Sequence, residues 1–99
     1  MLFGFLFINA QARTIITFWH SMAGNLGVSL HHIVEEFNQS QNQYRIMDVY
    51  KGDYNQTLIA TVAAFRAHQQ PDIVQILEIG TATMLTPKGI IVPFHELIQ

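Results

Sequence analysis

The stretch TIITFWH, Thr14 to His20, is short, β-branched and aromatic, and it ends at Ser21. Such a segment reads as a buried β-strand. From Gly24 to about Gln41, Leu26, Leu30, Ile33, Val34 and Phe37 recur at helical spacing, with Glu35, Glu36 and Gln39 off that stripe. This predicts a helix burying those five side chains. A polar turn over Gln41, Asn42 and Gln43 leads to a second strand, Tyr44 to Tyr50. Gly52 and Asp53 then open a second helix, with Asp53 as N-cap and Gln56 three residues on as its capping-box partner. Its expected apolar face is Leu58, Ile59, Val62 and Phe65, and Pro71 is the expected stop. DIVQILEI, Asp72 to Ile79, reads as a third strand. Gly80 and Thr81 begin a turn or short helix, and a last helical turn follows Pro93.

Strand, helix, strand, helix, strand is the order that builds a parallel sheet from right-handed crossovers. The expectation is an α/β fold: a three-stranded parallel sheet, the first strand central, with helices on both faces. Ligands in such sheets bind beyond the carboxyl ends of the strands, where the crossover direction reverses. Trp19-His20-Ser21, Lys51 to Tyr54, and Leu77 to Thr81 meet there.

The whole chain has 99 residues, 49% hydrophobic and 12% charged, with a formal net charge of −2. That allows one small domain with a core. The net charge and a pI near 6.1 argue against nucleic-acid binding, which calls for a basic surface. With no cysteine, thiolate catalysis, disulfides and Cys-based zinc sites are excluded. Leu2 to Ile8 is an unbroken apolar run followed by Asn9-Ala10-Gln11-Ala12, the small-x-small pattern of a secretory signal cleaved after Ala12. No Lys or Arg precedes that run, so residues 1–12 read as a truncated signal peptide; a first buried strand is the alternative.

Several residues at the strand ends carry chemistry. Trp19 and Tyr54 offer flat faces for stacking on a polyol or sugar, although Trp19 suits a core equally well. Glu78, after a run of strand residues, needs a partner or water; an ionised carboxylate accepts hydrogen bonds, and vicinal hydroxyls supply them. A solvated strand end is its plainer role. Gly80-Thr81 is a weak anion-binding signal. His31 and His32 pair with Glu35 and Glu36 at i,i+4, which reads as a solvated face and not a metal site. His20 is a hydrogen-bond donor or acid/base candidate, but no motif supplies the rest of a nucleophilic triad. Met22, Met47 and Met84 read as packing residues.

ITFWHSMAGNLG, YKGDYNQTLIATVAAFRA and PDIVQILEIGTATML together resemble the amino-terminal region of periplasmic glycerol-3-phosphate receptors. These belong to extracellular solute-binding family 1 of ABC importers. The resemblance runs from about Ala10 to Phe94, and the combination of FWHSM, KGDY and EIGTATM is specific. It implies a partial N-terminal lobe of a periplasmic-binding-protein-like (type II) fold, residues 13–99 forming an incomplete lobe. Family members close two lobes on a solute and dock on a membrane permease with its ATPase. By position, Tyr54 and Glu78 would contact the solute, with Trp19, His20 and Ser21 as neighbours.

The resemblance implies a periplasmic, non-enzymatic transport protein of a Gram-negative bacterium, without cofactor or metal, importing sn-glycerol-3-phosphate or a related polyol phosphate or sugar. Leu77 stands where an aromatic residue is expected before the Glu, and the chain reaches only Gln99 where family members are several times longer. The expectation is therefore a truncated piece, marginally folded, binding solute weakly or not at all alone. The competing readings are a non-functional gene remnant, an interaction module completed by a separately encoded second lobe, and a small enzyme using Glu78 or His20.

Overall fold

A computed structural model describes residues 12–98. Its elements are β1 (Thr14–His20), α1 (Gly24–Ser40), β2 (Tyr44–Tyr50), α2 (Tyr54–Arg66), β3 (Ile73–Val74), a single 3₁₀ turn (Glu78–Gly80), α3 (Thr81–Leu85) and α4 (Phe94–Leu97). The sheet is parallel with order β2-β1-β3, so the first strand is central as expected. Residues 1–12, the expected signal segment, lie outside this description except for Ala12.

β1 and β2 pair along their whole length, Thr14 with Tyr44 through His20 with Tyr50. Lys51 N–H then bonds the His20 carbonyl at 2.9 Å, carrying the ladder one step past both strands. Right-handed crossovers in a sheet of this order put α1 and α2 on opposite faces. Alternation along β1 then directs His20 and Trp19 to opposite sides.

The third strand corrects the sequence reading. Of Asp72 to Ile79, only Ile73 and Val74 enter the ladder, opposite Phe18 and Trp19. Side chains extend the attachment at both ends. The Asp72 carboxylate accepts the Thr17 backbone N–H at 2.8 Å, and Gln75 Oε1 accepts the Ser21 N–H at 3.0 Å. Beyond Gln75, whose own N–H reaches the Trp19 carbonyl at 2.8 Å, β1 has run out of strand, and the chain bends into the 3₁₀ turn. Glu78 therefore opens a turn and does not sit on a strand tip.

The helices form where the apolar spacing predicts them, but their packed stripes differ. On α1 the buried positions are Val34 and Asn38, one turn apart, while Leu26 and Ile33 are 65% and 64% exposed. Asn38 wins its place by hydrogen bonding. Its amide donates to the Ile46 carbonyl at 3.0 Å and accepts the Ile46 N–H at 2.8 Å, so it clips α1 to the outer strand. On α2 the buried residues are Thr57 and Thr61, and Ile59 is 68% exposed. Thr61 Oγ1 donates to the Thr57 carbonyl at 2.7 Å, which lets a hydroxyl be buried without loss. Among the described residues, Val34 and Met84 are the buried hydrophobic side chains.

The capping box at α2 forms as predicted: Asp53 accepts the Gln56 N–H, and the Gln56 side chain accepts the Asp53 N–H, each at 2.8 Å. Gly52 precedes it at φ +102°, where a Cβ would meet the Gln56 side chain. At the other end Pro71 is not the stop. α2 ends at Arg66, and His68 takes the left-handed conformation (φ 57°) that turns the chain away.

Candidate functional site

The carboxyl end of the sheet presents two cavities. One, about 120 Å³, is lined by Tyr54, Asn55 and Leu58 of α2 and by Ile76, Leu77, Gly80 and Thr83 of the β3–α3 region. The capping box and the Gly52 turn set Tyr54 as the first residue of α2, and the bend after Gln75 brings Leu77 and Gly80 to it. Gly80 lies close to Leu58: a Cβ there would stand 3.5 Å from a Leu58 methyl. Two of the three segments expected at the strand ends thus share this cavity. Tyr54 is 38% exposed, leaving its ring open for contact.

Glu78 belongs to the same turn as Leu77 and Gly80, yet it is exposed and is not among the lining residues. Among the described residues it makes no ion pair. Its carboxylate is solvated, with every acceptor position open to a hydroxyl donor. Trp19 is half-buried at the end of β1, and the Lys51 ammonium sits 4.0 Å from its ring centroid, a cation–π contact.

Ser21 is occupied structurally: its Oγ shares a hydrogen bond of 2.7 Å with Thr57 Oγ1, and its N–H is held by Gln75. His20 goes elsewhere. It is buried on the α1 side, in a cavity of about 490 Å³ with Asp48, Tyr50, His31 and His32 among its lining. The structure therefore separates His20 from Tyr54 and the turn bearing Glu78.

The His20 surroundings fix its proton. Nδ1 accepts the Met22 N–H at 3.2 Å, so the neutral ring carries hydrogen on Nε2, which faces Asp48 Oδ2 at 4.0 Å. Burial pushes the His20 pKa below its ordinary 6.5, and the Asp48 charge opposes that shift in part. Asp48 also accepts from His31 Nδ1 at 3.0 Å. Nε2–H cannot ligate a cation, and no group of three or more acidic or imidazole side chains among the described residues could hold a metal ion.

Three residues escape the sequence reading. Asn38, Thr57 and Thr61 are polar residues on helices, where residue type alone assigns them to solvent; helical spacing could have found two of them, since Asn38 lies one turn after Val34 and Thr61 lies three residues after Leu58 and four before Phe65.

No protein-family model matches the chain. Curated proteins do. It is 52% identical over 82 residues to the sn-glycerol-3-phosphate-binding periplasmic protein UgpB of Yersinia enterocolitica, covering 83% of this chain and 19% of that one. With the protein of the same name from Rhizobium meliloti it shares 43% over 97 residues, 98% of this chain and 22% of the relative. With that of Escherichia coli it shares 48% over 85 residues, 86% and 19% respectively. The chain spans about a fifth of the length of these relatives. Over most of its own residues, the chain is a homologue of the sn-glycerol-3-phosphate-binding periplasmic proteins.

Proposed function

We propose that this chain supplies part of one lobe of a periplasmic solute receptor serving an ABC importer, its solute being sn-glycerol-3-phosphate or a related polyol phosphate. The observation that carries the reading is identity of 43–54% to receptors of that name across most of the chain. The α/β sheet adds support, because its carboxyl end gathers Tyr54 and the Leu77–Gly80 turn around one cavity. In this reading Tyr54 stacks against the carbon skeleton of the solute, and Glu78 accepts from its hydroxyls. Trp19 carries Lys51 on its ring at the end of β1 and is not among the residues lining that cavity, and Ser21 acts by fastening β1 to α2. His20, on the far face, holds the β1–α1 turn and leaves the solute alone. A receptor of this kind breaks no bond, so no residue has a catalytic role. Residues 1–12 serve as its export signal, and a permease with its ATPase receives the loaded protein.

The experiment is a transplant. The aligned 82 residues of this chain replace their counterparts in the Yersinia enterocolitica relative, and calorimetry measures sn-glycerol-3-phosphate binding. Affinity within about tenfold of the parent supports the reading, and a folded chimera that binds nothing contradicts it.

The second reading, an interaction module completed by another polypeptide, is favoured by the exposed apolar residues Leu26, Ile33 and Ile59 on its helices. Stable co-purification of this chain with a polypeptide carrying the rest of the relative would support it.

A further inference from the structure

The larger cavity, about 490 Å³, lies on the α1 side of the sheet and has no part in the solute reading above. Alternation along β2 puts Asp48 and Tyr50 on one face, and the parallel register sets His20 opposite Tyr50. All three line this cavity. The start of α1 forms the other wall, through Gly24, Gly27 and Val28. A Cβ at Gly27 would run into the Met22 carbonyl, so the backbone itself makes that part of the wall.

A donor and an acceptor converge on the floor. The His20 side chain is 4% exposed; its Nδ1 is taken by the Met22 N–H, and its Nε2–H stands 4.0 Å from Asp48 Oδ2, beyond hydrogen-bond reach. Among the described residues no sealed side-chain polar atom lacks a partner, so Nε2–H opens on the cavity. The Asp48 carboxylate is 12% exposed and accepts from His31 Nδ1 at 3.0 Å, with lone pairs to spare. A group that accepts from Nε2–H and donates to Asp48 bridges the pair, and a hydroxyl does both.

Charged ligands fit worse. An anion meets the Asp48 charge, and no Lys or Arg is among the lining residues. A cation meets Nε2–H and the His31 ring, which already holds the carboxylate. A lone water also bridges donor and acceptor, but it fills only about 30 Å³. The observed volume belongs to the roughly 300–1,000 Å³ of small-molecule sites, which set a few polar groups among apolar walls. Here those walls are Val28 and the Tyr50 ring, each more than half exposed and open to the carbon face of a ligand.

We propose that this cavity is a second binding site, for an uncharged polyol or sugar ring, with one hydroxyl bridging His20 Nε2–H and the Asp48 carboxylate and the carbon face against Tyr50. It stands apart from the receptor reading, which uses the Tyr54 cavity on the other side of the sheet.

The isotopically labelled whole chain is titrated with myo-inositol, inorganic phosphate and tetramethylammonium, and amide shifts are followed. Inositol should move Met22 to Val28 and Tyr50 saturably, with Kd on the order of millimolar, and neither ion should do so. Asp48→Ala removes the acceptor, and Val28→Trp fills the cavity while leaving the polar pair in place. Each should weaken inositol binding about tenfold or more. Where D48A fails to fold, V28W decides. Unsaturated or absent inositol shifts, meaning a cavity that holds water only, overturn the proposal. So does wild-type affinity in either folded variant, or preference for phosphate or tetramethylammonium. The transplant experiment decides the receptor reading separately, since it measures sn-glycerol-3-phosphate.

Discussion

Ser21 and Thr57 share a hydrogen bond of 2.7 Å that ties the chain just after the central strand to the amino end of α2. Thr57 is wholly buried and Ser21 partly exposed. The bond therefore sets how Tyr54, three residues before Thr57, stands over the sheet end.

Thr57→Val keeps the shape and removes the hydroxyl. It should lower unfolding free energy by about 1 kcal/mol, the net worth of one such bond. Urea denaturation of T57V, S21A and the double variant checks it: the double variant should lose less than the sum of the two. Full additivity would show that the two hydroxyls act independently.

Asp53→Ala should cost about 1 kcal/mol through loss of the N-cap, and Asp53→Ser should recover most of it. Gly52→Ala should cost more than 1 kcal/mol, because φ is +102° and the new methyl would meet the Gln56 side chain. Far-ultraviolet circular dichroism during thermal unfolding reads both effects.

Asn38→Leu strips partners from both backbone groups of Ile46 on an outer strand. About 2 kcal/mol of destabilisation is expected, with Asn38→Asp intermediate, since aspartate still accepts from the Ile46 N–H. Hydrogen exchange at the Ile46 amide should rise in N38L and stay slow in N38D.

His20 makes stability depend on pH in a defined direction. Its folded pKa lies below the unfolded 6.5 because burial disfavours the charged ring. Between those two values the unfolded chain binds more protons, so stability falls as pH drops below about 6.5 and levels off once pH passes the folded pKa. Protonation also removes the acceptor that Nδ1 offers to Met22. Urea midpoints at pH 5 and pH 7.5 should differ less in H20Q than in wild type. Asp48→Asn removes the opposing charge and should lower the His20 pKa further by NMR titration.

The residues that could be read from sequence are those whose signal is local. TIITFWH and the Tyr44–Tyr50 segment carry their own strand propensity, and both strands have the expected bounds. Asp53 and Gln56 form a contact three residues apart, so a capping box is visible in the spacing. What failed depends on partners distant in sequence. DIVQILEI has the composition of a strand, but β1 offers it too few free positions beyond Trp19. Leu26, Ile33 and Ile59 satisfy the helical period yet face away from this sheet, while Asn38 and Thr57 enter the core through bonds to Ile46 and Ser21. For the candidate site, Tyr54 and the turn bearing Glu78 meet at one cavity, whereas the alternation of β1 sends His20 to the other face. That separation was implicit in the adjacency of Trp19 and His20, which cannot share a face of one strand.

Amide chemical shifts of the isotopically labelled chain, followed during titration with millimolar sn-glycerol-3-phosphate, distinguish the two cavities even when affinity is low. Saturable shifts of Lys51 to Asn55 and Leu77 to Thr83, with His31 and His32 unmoved, are the result this account predicts. Shifts centred on His31, His32 and Asp48, or none at all in the presence of the polypeptide carrying the rest of the relative, would contradict it.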